Sequence, residues 1–203
     1  MKKIVFVALM CVCLTAPAWA DMTEFNFTKL TNNNIEDLGM QLSVTVEKVD
    51  TSKVAFAFRN DVGIASSITQ IYFYDGVFIT GAPTTEEVGV KFLADSAQGG
   101  GLPGLSKQAS YVLQASVDSE PPVSKNGINS NADLLRLTFD LFPGATYDSV
   151  VQGMQTGKFL IGLHVQAIGS AGDSDSYITP VPGALLLGSL GLGYAGMRLR
   201  RAV

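Results

Sequence analysis

Cysteine is almost missing from this 203-residue chain. The two present, Cys11 and Cys13, both lie in the first fourteen residues. Histidine occurs once, as His164. With so few soft or imidazole ligands, a multi-ligand zinc site is excluded. Charge is also sparse, at 16% Asp, Glu, Lys and Arg against 47% apolar residues; soluble domains carry about a quarter charged. High hydrophobicity with little charge excludes an intrinsically disordered acidic or basic chain. Excess positive charge is lacking too: the net charge is -4, which argues against a nucleic-acid binder. No G-x-S-x-G elbow is present, so Ser66, Ser67, Ser106 and Ser110 gain no support as hydrolase nucleophiles.

What is present is organised from the two ends inward. Lys2 and Lys3 precede an apolar run from Ile4 to Leu14, and Ala18-Trp19-Ala20 supplies small residues two apart. That order is a secretory signal peptide, with cleavage expected after Ala20 and a mature chain starting at Asp21. Both cysteines leave with it, so the mature protein is expected to have neither disulfide nor thiol chemistry. A lipoprotein signal is disfavoured, because Cys13 is followed by Leu14-Thr15-Ala16-Pro17 rather than preceded by a small-residue box.

At the other end, Gly183 to Met197 is uncharged and rich in Leu and Gly. Arg198, Arg200 and Arg201 follow. As a helix this run would span a little over ~20 Å, short of a bilayer core of ~30 Å. Val181 and a snorkelling Arg198 narrow the difference. The arginines would stay cytoplasmic, placing everything before the span outside. The charge distribution agrees with that layout. All 18 Asp and Glu lie between Asp21 and Asp175. Two of the 14 Lys and Arg lie in the leader and three in the tail, so the exported part carries nine positive charges and a net of -9.

The tail resembles the PEP-CTERM family of sorting signals, which are processed by membrane protease-transpeptidases called exosortases. The stretch that carries the resemblance is Val181-Pro182-Gly183, the span to Met197, and the cluster Arg198, Arg200 and Arg201. The Glu of Pro-Glu-Pro is replaced: Pro180-Val181-Pro182-Gly183 resembles a shortened Val-Pro-x-Pro-Gly-Ala variant. The resemblance implies an exosortase-like partner, transient anchoring in the inner membrane, and delivery to the envelope or extracellular matrix. The alternative is a plain anchor helix that is never cut. Ala65 to Phe73, Pro121-Pro122-Val123 with Asn126 to Asn129, and Ile161 to Gln166 also resemble uncharacterised exported domains that accompany such tails. No activity follows from that second resemblance.

Between the ends the dominant period is two. Leu42, Val44 and Val46 alternate with polar residues, Asp50 to Lys53 is a turn, and Val54 to Phe58 returns as a hairpin. Ile68 to Tyr74 reads as a strand, with Val77 to Thr80 expected back across Asp75-Gly76. Val88 to Leu93 and Ser110 to Ala115 are shorter candidates. Leu135, Leu137, Phe139 and Leu141 form the cleanest alternation. Tyr147, Val150, Val151 and Met154 have helical spacing, with Thr146 as N-cap and Gly157 as stop. In the final strand Phe159, Ile161, Leu163, Val165 and Ala167 are expected on one face.

The expected fold is therefore all-β, an antiparallel β-sandwich with one short helix, flanked by a signal peptide and a C-terminal transmembrane sorting helix. The divisions are 1–20 signal, 21–172 sandwich, 173–180 stalk (Asp173-Ser174-Asp175-Ser176 and the prolines), and 181–203 tail.

Candidate chemistry is thin. His164 shares a strand face with Gly162 and Gln166 and has no partner that sequence can place. No catalytic residue and no metal ligand is assigned, and no cofactor is required. Ca²⁺ is the ion for which the loop Asp118-Ser119-Glu120 with Asn126 to Asp133 has suitable oxygens, without EF-hand spacing. Gly99 to Gly104 lacks the Lys-Ser/Thr of a phosphate loop. Asn26-Phe27-Thr28 matches a glycosylation sequon by chance frequency alone. Tyr72, Phe73, Tyr74, Phe78 and Tyr111 pose a choice between core packing and a sugar platform, with Tyr72 and Tyr74 on one face. The reading is a non-enzymatic envelope or matrix protein. An exopolysaccharide-binding module is the alternative, and a secreted hydrolase with two distant carboxylates a weaker one.

Overall fold

The computed structural model describes residues 21–74, 76–94, 101–105 and 111–180. The leader, the tail from Val181 onward, Ser106 and Ser110 lie outside them, and with them Ala18, Ala20, Val181, Pro182, Gly183, Arg198, Arg200 and Arg201. Among the described residues no helix is long and apolar enough to cross a membrane.

In chain order the elements are β1 (Met22–Asn26), β2 (Thr28–Lys29), β3 (Leu42–Lys48), β4 (Lys53–Asn60), β5 (Ser67–Tyr74), β6 (Ile79–Val88), β7 (Phe92–Ala94), β8 (Leu113–Ser119), α1 (Val123–Asn126), β9 (Leu134–Leu141), α2 (Tyr147–Thr156), β10 (Leu160–Ile168) and β11 (Asp173–Ile178). They make two antiparallel sheets. One has the order β1-β3-β4-β9-β6 and the other β2-β11-β10-β5-β8-β7.

The sheets meet through one aromatic cluster. β4 and β9 contribute Phe56 and Phe139; β5 contributes Phe73, and Phe159 comes from the turn just before β10. Phe73 lies 4.9 Å from Phe139 and 5.3 Å from Phe56, both edge-on. The alternation in β9 sets this up: Leu135, Leu137 and Phe139 are at most 1% exposed, while Asp140 faces water. Each fully buried side chain of this size stabilises by about 1.5–3 kcal/mol. The helix α2 forms where its spacing and caps place it. Thr146 and Ser149 make a reciprocal capping box, and Gly157 closes the helix in the left-handed conformation (φ 70°).

The β3–β4 hairpin has the expected turn, with Val46 opposite Phe56. Several expectations are corrected. Val77 to Thr80 does not fold back on β5. Ile79 instead pairs with Leu141 in the other sheet, so Gly76 to Phe78 carries the chain across the sandwich. Alternation shows which way side chains face, but not which strand lies alongside. Val88 to Leu93 is not one strand: Gly89, at φ 75°, ends β6 before β7 begins, and the carboxylate of Asp133 fills the space where a Cβ would stand. Ser110 to Ala115 becomes β8, displaced toward Ser119. Ala167 leaves the inward row. It sits at φ 53° in a bulge where the β10–β11 register shifts, and Ile168 takes the buried place.

The largest correction concerns 173–180, expected as a stalk. Asp173–Ile178 is strand β11, paired with β10 along its length and with β2 at Tyr177 and Ile178. Asp175, Tyr177 and Thr179 are fully buried. The domain therefore continues past residue 172 to Thr179, and only Pro180 separates that buried residue from Val181.

Candidate functional site

Two places bring chemically capable groups together. The first is the outer face of the six-stranded sheet. Register aligns Ser176, His164, Gln70 and Asp118 across β11, β10, β5 and β8. His164 Nδ1 lies 2.9 Å from Gln70 Oε1, and the Tyr72 hydroxyl donates to the same oxygen at 2.9 Å. An amide oxygen only accepts, so Nδ1 carries the proton. Burial lowers the His164 pKa, against the opposing pull of Asp118 and Asp175, and keeps the ring neutral. Among the described residues its side-chain partner is an amide, with neither an orienting carboxylate nor a nucleophile on the ring. The arrangement is a fixed polar row rather than a charge-relay centre.

The tyrosines beside this row are not a platform. Tyr72 and Tyr74 are 2% and 4% exposed and stack on each other at 6.3 Å. The glycine-rich loop covers them: Leu102 and Leu105 pack on their rings, and Leu102 N–H donates to Tyr74 Oη at 2.6 Å. Burial raises the Tyr72 pKa to about 12. The loop fits because β10 has Gly162 beneath it; a Cβ there would stand 2.6 Å from Leu102 Cδ2. The role of that loop is thus packing. Phe73 lies in the central core.

The amides of Asn126 and Asn129 and the carboxylate of Asp133 bond the loop's own backbone, and Asn131 Oδ1 accepts from Val62 N–H at 2.6 Å. Asn126 Nδ2 donates to the carbonyls of Glu120 and Pro121. Asn129 Nδ2 donates to those of Ser124, Lys125 and Gly127. Asp133 accepts from Asn129 N–H. Among the described residues no group of three or more His, Cys, Asp or Glu side chains comes together for a metal. Ser66 is buried, its hydroxyl donating to Ile64 O and accepting from Gln41 Nε2, while the buried Ser67 Oγ has no hydrogen-bond partner among the described residues.

The second place is the end of the chain's last strand. Asp175 is fully buried on the core side, opposite Val165. Lys29 Nζ pairs with its Oδ2 at 3.0 Å. Thr31 Oγ1 and Asn33 N–H donate to Oδ1 at 2.8 Å, and Asn34 N–H to Oδ2 at 3.0 Å. Burial alone would raise this carboxyl's pKa. The donors, led by Asn33 N–H and Thr31, outweigh it and hold the pKa below the usual value. Lys29 also donates to the carbonyls of Asn34 and Glu36. The 29–36 loop is thereby wrapped around β11. Four residues beyond Asp175, Thr179 N–H donates to Ile161 O at 2.9 Å, and Thr179 Oγ1 accepts from Ile161 N–H at 3.1 Å. Sequence reading missed this cluster because Asp-Ser-Asp-Ser has the composition of a linker. The signal available was Gly169 and Gly172, both at positive φ, which turn β10 into β11.

At the N-terminal boundary Asp21 is salt-bridged to Lys48 at 3.1 Å, and β1 begins at the next residue. Asp21 is thus tied to the sheet at one end of the described residues, as Thr179 is at the other. No known protein family, characterised protein or solved structure matches this chain.

Proposed function

We propose that this is an exported, non-enzymatic domain of the cell envelope or extracellular matrix, delivered by a C-terminal tail that an exosortase-like membrane protease processes. One observation carries the reading. Pro180-Val181-Pro182-Gly183, the uncharged span to Met197, and Arg198, Arg200 and Arg201 follow directly on Thr179, the last buried residue among those described. The apolar run and arginines of the tail match the physics of membrane insertion with the basic end inside.

The experiment uses an epitope in the exposed Asp50–Ser52 turn, away from the buried C-terminal strand. Blotting compares cells with and without the sorting enzyme. Processing should lower the mass only where the enzyme is present. Replacing Val181, Pro182 and Gly183 with Ala should leave membrane insertion intact and stop processing. Replacing Arg198, Arg200 and Arg201 with Gln should weaken retention. Equal mass in both strains, with the tail attached, would leave a plain anchor as the answer.

The polar row of Gln70, His164 and Asp118 favours a second reading, recognition of exopolysaccharide hydroxyls on the outer face. Since the Tyr72 ring is covered, that reading rests on hydrogen bonding. Glycan-array binding lost on Gln70→Ala would support it.

A further inference from the structure

The chain is bonded into the sheet as far as Thr179. Thr179 is fully buried and bonded twice to Ile161, and Ile178 is paired with both Gly162 and Thr28. Val181 is two residues further on, within about 7 Å of Thr179 even in a fully extended chain. A protease engages an extended stretch on both sides of the bond it cuts. Folded chains are generally cut from locally opened states rather than from the closed strand. Ile178 and Thr179, which precede the exposed Pro180, are bonded into the closed sheet.

We infer that the folded domain meters processing of its own tail: Ile178 and Thr179 must peel from β10 and β2 before the membrane protease can engage the motif. This rests on the sorting reading proposed above. Two features make the end of β11 able to open separately from the rest. β2 contributes only two residues, so beyond Ile178 the strand is held from one side. The strong anchor, Asp175 with Lys29 and the 29–36 loop, lies four residues back from Thr179 and secures the body of the strand. Peeling can thus stop at that ion pair without unfolding the core.

The test follows processing of the full chain by pulse-chase in cells that contain the enzyme. Four chains are compared: the natural one, Thr179→Val, a chain with six Gly/Ser residues inserted between Thr179 and Pro180, and the insertion combined with Thr179→Val. The insertion keeps every described contact and the whole motif. It should speed processing by roughly tenfold or more, by removing the opening step. Thr179→Val removes the hydroxyl that accepts from Ile161 N–H while keeping shape. It should speed the natural chain several-fold, on the order of one lost hydrogen bond, and leave the spaced chain unchanged. If the natural and spaced chains are processed at the same measurable rate, the metering inference is wrong and the sorting reading stands. If no chain is processed, the sorting reading fails and the inference falls with it. Circular dichroism of each chain, and its resistance to a soluble protease, separate a local effect from an unfolded domain.

Discussion

Replacing Asp175 with Asn keeps the size of a fully buried side chain and removes only its charge. The consequences can be worked from its partners. Lys29, whose side chain is 13% exposed, loses its counter-ion and keeps the carbonyls of Asn34 and Glu36. The new amide can accept with one oxygen, whereas the carboxylate accepts from Thr31, Asn33 and Asn34 with two. Breaking one partner of a buried ion pair costs about 3–5 kcal/mol. The two remaining carbonyls on Lys29 place the expected loss near the lower end, about 3 kcal/mol, which is a large part of a typical total of about 5–15 kcal/mol. Lys29→Met should cost less, about 1–3 kcal/mol, because it leaves the carboxylate with its three other donors. Urea unfolding followed by far-UV circular dichroism measures both; tryptophan fluorescence is unsuited, since the single Trp, Trp19, lies outside the described residues. pH gives a further check. The folded carboxyl has a lowered pKa, so its stabilisation is complete above the unfolded value of about 3.9 and is lost as pH falls through the folded one. Asp175→Asn should flatten that acid limb. A loss under about 1 kcal/mol for Asp175→Asn, or a larger loss for Lys29→Met, would refute the account of this cluster.

Phe139→Ala should cost about 3–5 kcal/mol in the same unfolding assay, because its ring sits between Phe56 and Phe73 in the core; a change under about 0.5 kcal/mol would mean that β9 is out of register by one residue. Leu102→Ala should cost about 2–5 kcal/mol and uncover Tyr72 and Tyr74, seen as increased quenching of tyrosine emission by iodide; unchanged quenching would show that the loop is not their cover. His164 has a lowered pKa in the fold, so the unfolded chain takes up its proton first as pH drops below about 6.5. Stability should fall from there until the folded ring titrates, and His164→Gln should remove that fall. An unchanged urea midpoint for the natural protein between pH 7 and pH 5 would contradict it.

The hairpin of β3 and β4, the inward row of β9, and the capped helix α2 were legible from the sequence because each depends on local periodicity and local caps. Leu135, Leu137 and Phe139 face the core whatever strand pairs beside them, and Thr146 caps its helix with a residue three positions away. The two ends read as signal and tail from a contiguous run and its flanking charge, and both lie outside the described residues. Partnership was not legible. Ile79 crosses to the other sheet, and Tyr72 and Tyr74 disappear under Leu102, because nothing in a two-residue period says what will lie above a face. The sharpest case is Asp173–Ile178. Its acids and serines have the composition of a solvated linker, and burying Asp175 alone would be prohibitively costly. Tertiary structure brings Lys29 and three more donors from 141 to 146 residues away, and that neutralised, hydrogen-bonded charge makes the segment a core strand.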